Sequence, residues 1–383
     1  MFALQDQDNP QARARGLTRH GALARRLRRM AAGAVCAVAV ALPLAGAAMA
    51  QAATSAPHTL TSSWTSLRLV HGWHDFPHGT AAPAVTNING IVHLKGAIAT
   101  TGTNNVPFTL PPGDRPAIDV YVPVDLGAAT AGLLNIAPSG VASVQADQTW
   151  SDAQTLTSLD GASFATSGSS FTPLTPLNGW TNAAGFAKAG ARTINGIVHL
   201  RGVITASSPT GEPIILPAAF RPNHTVYVPV SLCNASSGRL DIYPSGVVDV
   251  EAAGGTISNA ECGTSLDGAW FAKSASLYTP LTLQNGWASY NDGTTSPAVR
   301  KISGIVYLEG AMHNSANPPN PLAFTLPAGF RPTHNVYVSV DTDLANKGNI
   351  LIAPNGQVTV FAEGGATANI ALFTSLDGVS FAP

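Results

Sequence analysis

The stretch His71-Gly72-Trp73-His74-Asp75-Phe76-Pro77-His78 gathers three imidazoles and a carboxylate within eight residues. Such a donor set at that spacing could serve zinc or nickel. The matching stretches after Trp180 and Trp287 contain no histidine, so the sequence is read as a surface loop with no metal. Tryptophan offers a second chemistry, because an indole face suits the apolar face of a sugar. Trp73, Trp180 and Trp287 each follow a glycine, and for these the competing reading is a core residue near the start of a module. Trp150 and Trp270 are not repeated in this way and are the better candidates for a specialised surface.

Arg115, Arg221 and Arg331, each before a proline, and Asp160, Asp267 and Asp377, each in Leu-Asp-Gly, could together clamp a polar ligand. Turn chemistry is the favoured reading: a turn-anchoring arginine and a turn-forming aspartate, paired with each other. His93 and His199 align with Tyr307, and His224 with His334 and Ile118, an exchange that suits strand positions better than ligands. For catalysis there is no Gly-x-Ser-x-Gly elbow, His-Glu-x-x-His, phosphate loop or dinucleotide fingerprint. Glutamates are few beyond residue 50 (Glu212, Glu251, Glu261, Glu309, Glu363) and mostly unmatched between repeats. A glycosidase needs two carboxylates across a cleft, and nothing here places them. The expectation is a protein that is not an enzyme and takes no cofactor.

These residues sit in a block written three times. Gly72-Trp73, Gly179-Trp180 and Gly286-Trp287 open the copies at a spacing of about 107 residues, which is domain-sized. Each opening is followed by a Gly-Ile-Val strand, a Leu-Pro…Arg-Pro turn, a Val-Tyr-Val or closely similar strand and Ser-Leu-Asp-Gly. In the second copy, Thr193 to Val203 alternates and reads as one strand. Val226-Tyr227-Val228-Pro229-Val230 reads as another, with Pro229 placing it at a sheet edge or bulge. Pro244-Ser245-Gly246 turns a hairpin, matched by Pro138-Ser139-Gly140 and Pro354-Asn355-Gly356. Phe171-Thr172-Pro173-Leu174 and Tyr278-Thr279-Pro280-Leu281 read as the first strand of the following copy, so the copies should pack closely. No amphipathic helix of useful length is predicted. The fold class is all-β: three tandem antiparallel β-sandwiches of jelly-roll type.

The first fifty residues differ. Seven arginines between Arg13 and Arg29 precede an apolar run from Met30 to about Gly46, then Ala48-Met49-Ala50. This is the pattern of a secretory signal peptide cleaved near Ala50. Cleavage would leave 13 Lys and Arg against 19 Asp and Glu, a net charge of −6. That gives no footprint for nucleic acid or an anionic membrane. Cys36 would leave too, so Cys233 and Cys262 are expected to form a disulfide, as suits an exported chain.

The order Gly-Trp, Gly-Ile-Val-x-Leu-x-Gly, Leu-Pro-x-x-x-Arg-Pro, hairpin, Ser-Leu-Asp-Gly-x-x-Phe resembles C-terminal modules of bacteriophage tail fibres and receptor-binding proteins. It is also similar to modules of secreted bacterial proteins. The resemblance spans 69–383 and implies a small β-sandwich head, trimeric in phage proteins, that engages cell-surface saccharide. The resulting expectation is a signal peptide at 1–50, a lead-in at 51–68 and repeats at 69–166, 167–273 and 274–383. Its function would be non-enzymatic recognition of a cell-surface glycan. The alternatives are a structural envelope protein without a ligand, and a polysaccharide-degrading enzyme. Three copies in one chain could also form an intramolecular pseudo-trimer.

Overall fold

The computed structural model describes residues 63–316 and 318–383. The expected signal peptide and most of the lead-in lie outside the described residues. Among those described, antiparallel strands dominate, joined by tight turns and short 3-10 segments. No helix among them is long and apolar enough to cross a membrane.

The second copy shows the plan. One sheet runs in the order Thr172–Pro173, Gly190–Ile194, Ile197–Arg201, Trp270–Ala272. Facing it, Ile214–Ile215, Val247–Ala252, Ser237–Ile242 and Val226–Ser231 form a second sheet. A bridge from Leu232 to Thr264 continues that layer into a three-stranded sheet containing Trp180–Asn182. In the first copy the corresponding strands form one continuous six-stranded sheet. Leu200, Ile204, Val228, Leu240, Val248 and Phe271 fill the space between the layers. The first and third copies have cores of matching composition.

The segments between copies do supply first strands. Thr172–Pro173 pairs with Gly190 and Ala191, and Thr279–Pro280 pairs with Ala298 and Val299.

One local expectation needs correction. The Thr193–Val203 stretch is not one strand but a hairpin and the start of a third strand. Gly190–Ile194 turns back through Asn195-Gly196 into Ile197–Arg201. Both turn residues have positive φ (52° and 88°), as do Asn89-Gly90 and Ser303-Gly304. That is the backbone of a two-residue hairpin turn, for which Asn-Gly is the preferred pair. The alternation of side chains ran unbroken through the turn and hid it.

Helices among the described residues are confined to short pieces, as expected. Each copy has one short α-helix: Trp150–Thr155, Ile257–Cys262 and Thr367–Leu372. Six residues are too few to show a helical period. A threonine two residues beyond each helix bonds back to a carbonyl inside it (Thr157 to Ala153, Thr264 to Ala260, Thr374 to Ile370, 2.9–3.0 Å).

Cys233 and Cys262 form a disulfide that ties the turn after the Val-Tyr-Val strand to the end of the second helix. The first and third copies fold the same elements without it. A closed loop of this length contributes about 3 kcal/mol. The double substitution Cys233→Ala, Cys262→Ala should therefore lower the denaturation free energy by about that amount while leaving the far-ultraviolet circular dichroism unchanged. Loss of folded structure would show the bridge to be a requirement and not a reinforcement.

Candidate functional site

The arginines do what a turn requires. Arg115, Arg221 and Arg331 each direct Nε to the carbonyl of the leucine five residues earlier, at 3.0, 2.9 and 2.8 Å. Each also lies against the hairpin glycine, where a Cβ would sit 2.5–2.7 Å from Nε. Gly140, Gly246 and Gly356 therefore serve both a positive φ and a close approach. The expected partnership with the Leu-Asp-Gly aspartates is not made.

The aspartates join different copies. Asp160, Asp267 and Asp377 are buried, and each accepts the N–H of a glycine in its own copy (Gly96, Gly202, Gly310) at 2.9–3.0 Å. The other face of each carboxylate meets a tyrosine N–H in another copy. Tyr227 N–H donates to Asp377 at 3.2 Å. Asp160 and Asp267 face the N–H groups of Tyr337 and Tyr121 in the same way, without closing a bond of normal geometry. The serine two residues earlier takes the carbonyl of that same tyrosine. Ser158 donates to Tyr337 O, Ser265 to Tyr121 O and Ser375 to Tyr227 O, at 2.6, 2.7 and 2.8 Å.

These contacts run in a cycle, first copy to third, second to first, third to second. The three Val-Tyr-Val strands, Val120–Leu126, Val226–Ser231 and Val336–Asp341, also lie against one another. In the second and third copies this strand ends its own four-stranded sheet, and in the first it pairs with Thr157–Ser158 only at Asp125 and Leu126, so the outward backbone groups around each tyrosine need partners from elsewhere.

At one end of this arrangement, Ile88, Ile194 and Ile302 line a cavity of about 20 Å³ with His93, His199 and Tyr307. Burial lowers the His93 pKa to about 4, and burial with the neighbouring His93 and Arg192 lowers that of His199 to about 3. Both imidazoles are neutral at physiological pH. Trp270 lies here too, edge-on to Tyr307 at 4.8 Å, in an apolar cluster drawn from more than one copy.

At the other end the filling is ionic. Lys347 is buried against Asp125, and Asn349 donates to the same carboxylate at 2.7 Å. Arg239 bonds Asp241 at 2.7 Å within its copy and reaches Asp341 of the third copy at 3.4 Å.

The remaining sequence candidates lie elsewhere. Trp73, Trp180 and Trp287 are 4–5 % exposed, each in the core of its own copy. Their indole N–H groups donate to the carbonyls of Asn104, Gly211 and Asn320. Trp150 packs edge-on against Trp73 at 6.0 Å and donates to Gly102 O. Trp73, Trp180, Trp287 and Trp270 are too buried to serve as stacking platforms, whereas Trp150 is partly buried. His71, His74, Asp75 and His78 are exposed, and among the described residues no group of three or more His, Cys, Asp or Glu is arranged to hold a metal ion. The loop instead docks on the third copy, where the Asn335 side chain donates to His78 O and its backbone N–H to Gly79 O.

One buried acid was passed over in the sequence. Glu309 stands where the other copies have Lys95 and Arg201, whose cations lie over the rings of Trp64 and Phe171 at 4.6 and 4.5 Å. In the third copy the aromatic is Tyr278, so a phenol accompanies an acid instead of a ring accompanying a cation. Neither Glu309 oxygen nor the Tyr278 hydroxyl has a hydrogen-bond partner among the described residues. Burial, and then the nearby Asp377, push the Glu309 pKa up to about 8, while Arg300 opposes them.

The sequence matches no family of proteins and no curated protein sequence. Among solved structures the chain has a likeness to CoXyl43, a GH43 β-xylosidase/α-arabinofuranosidase from a compost microbial metagenome, in complex with xylotriose in its calcium-free form. The identity is 11 %, the TM-score 0.14, and the alignment covers 77 % of this chain and 94 % of that one. The expectation of non-enzymatic recognition of cell-surface carbohydrate is corrected on the structure itself: Trp73, Trp180, Trp287 and Trp270, meant to carry sugar contacts, are committed to packing. A TM-score this low carries no argument for an activity.

Two outcomes follow from the buried carboxylates. Replacing Asp267 with Ala leaves the N–H of Gly202, and that of Tyr121 facing it, without an acceptor. It should cost about 2–4 kcal/mol of denaturation free energy, against about 1 kcal/mol for Ser265→Ala. Near-equal, negligible effects would show that the motif serves its own turn only. For Glu309, the folded carboxyl holds its proton up to about pH 8, whereas the unfolded group releases it near 4.5. Stability from this group is thus complete below 4.5 and is lost as pH rises toward 8. Urea titrations from pH 5 to 8 should show the wild type losing more stability than Glu309→Gln; parallel curves would contradict the assignment.

Proposed function

We propose that the chain is an exported, non-catalytic scaffold whose three copies act as an intramolecular pseudo-trimer. In this reading it is a single-chain counterpart of the trimeric heads of phage fibres that its sequence resembles. The observation that carries the reading is the cycle of Ser-Leu-Asp-Gly contacts onto the tyrosines of neighbouring copies. A motif that meets its counterpart copy at each of three interfaces makes a closed assembly, with no open end to propagate. Linking the copies in one chain removes the association entropy a homotrimer must overcome. It also permits each interface to differ, as the Lys347–Asp125 and Arg239–Asp341 pairs do.

Export is supported by the arginine-rich and apolar N-terminal pattern together with the disulfide, which persists in oxidising compartments. The absence of catalysis is supported by the use of the recurring carboxylates, which are spent on backbone N–H groups. Size-exclusion chromatography with small-angle X-ray scattering tests the assembly. The chain lacking residues 1–50 should be monomeric with a radius of gyration of about 20 Å, the value for one compact body of this length. A markedly larger radius from strung-out copies, or a stable homotrimer, would refute the proposal.

A further inference from the structure

The three interfaces share a backbone plan, so side chains that differ between them mark what one interface does and the others do not. Beside the junction of the second and third copies lies a groove of about 760 Å³. Arg221, Lys273, Arg300 and Lys301 line it, with Asn223 and Ser274 among the neutral donors. No carboxylate lines the groove, and none of the four cations makes an ion pair among the described residues. At the junction of the first and second copies the same positions are Arg115, Thr166, Arg192 and Thr193. At the junction of the third and first they are Arg331, Pro383, Thr86 and Asn87. The count of cations is therefore four, two and one.

Arg192 also spends its guanidinium on Asn89 O at 3.1 Å, whereas no such bond holds Arg300 to Asn195, its counterpart. The groove thus concentrates four cations in a chain whose portion beyond residue 50 has a net charge of −6.

We propose that this groove binds a ligand carrying more than one phosphate or sulfate group. Guanidinium forks and ammonium groups supply the donors and no carboxylate lines the groove beside them, which matches tetrahedral oxyanions. The volume exceeds what a single oxyanion fills and lies in the range of ordinary ligand sites. Like charges gathered without counterions repel one another, and a polyanion relieves that repulsion. The proposal is independent of the scaffold reading, since it needs only this one junction.

Isothermal titration calorimetry of the chain lacking residues 1–50, at low ionic strength, tests it with inorganic tripolyphosphate. One site per chain is expected, weakening as sodium chloride is added. The double variant Lys273→Thr, Lys301→Thr carries residues that the first junction already accommodates, so folding is retained, as thermal unfolding will verify. It should bind about tenfold or more weakly. The reciprocal variant Thr166→Lys, Thr193→Lys should gain a second site. Competition by inorganic phosphate and by sulfate identifies which oxyanion the groove prefers; competition by either supports the proposal. No binding, several equivalent weak sites, or equal affinity in the lysine-deleted variant would overturn it.

Discussion

The structure depends on one contact made three times: Ser-Leu-Asp-Gly of one copy closing on the backbone of a tyrosine in another. A strand at the edge of a sheet leaves N–H and C=O groups that must be satisfied or exposed to unwanted pairing. Here the serine hydroxyl meets the tyrosine carbonyl, and the aspartate faces the tyrosine N–H while holding a glycine N–H of its own copy. The aspartate thus ties the interior of one sandwich to the edge of another. Burial raises the pKa of all three, to about 7 for Asp160 and about 6 for Asp267 and Asp377, so their charge is held at a cost. That cost is tolerable because main-chain donors surround the carboxylates.

On this repeated frame the space between copies is filled unequally. Equivalent positions carry Asp125, Ser231 and Asp341 on one side and Leu133, Arg239 and Asn349 on the other. With Lys347 where the other copies have Ala131 and Ser237, two of the three junctions carry an ion pair among the described residues, Lys347–Asp125 and Arg239–Asp341. Replacing such pairs with apolar groups need not lower stability, and their clearest use is to specify which surfaces meet. At the opposite end, His93, His199 and Tyr307 surround one small cavity, with Trp270 supplying bulk. A homotrimer of identical chains would have to repeat each of these choices. A chain that carries three copies need not.

Much of the fold was legible. Period-two alternation, proline at the Val-Tyr-Val edge and glycine turns led to antiparallel sandwiches, and an even cysteine pair led to the disulfide. The Asn195-Gly196 hairpin was missed because the apolar and polar residues on either side of the turn keep one alternating pattern, from Thr193-Ile194 into Ile197-Val198, that carries across it. The three helices, at six residues each, are too short to display a period, in keeping with the expectation of no helix of useful length. The site was legible in type but not in use. Ser-Leu-Asp-Gly and the tyrosine strands both recur, yet a sequence does not say that one copy's motif serves a different copy's strand. Glu309 was passed over as an unmatched glutamate. Its position in register with Lys95 and Arg201, two cations, was the available signal.

The central claim is that the copies stand or fall together through the tyrosine clamps. Amide hydrogen exchange at Tyr121, Tyr227 and Tyr337 measures this most directly, because those N–H groups face the neighbouring copy's aspartate and not their own sheet. The account predicts that all three exchange only through global unfolding, with the protection of core amides such as those of Leu134, Leu240 and Ile350. Exchange of any one of the three tyrosines by local opening, while the core of its copy stays protected, would contradict it.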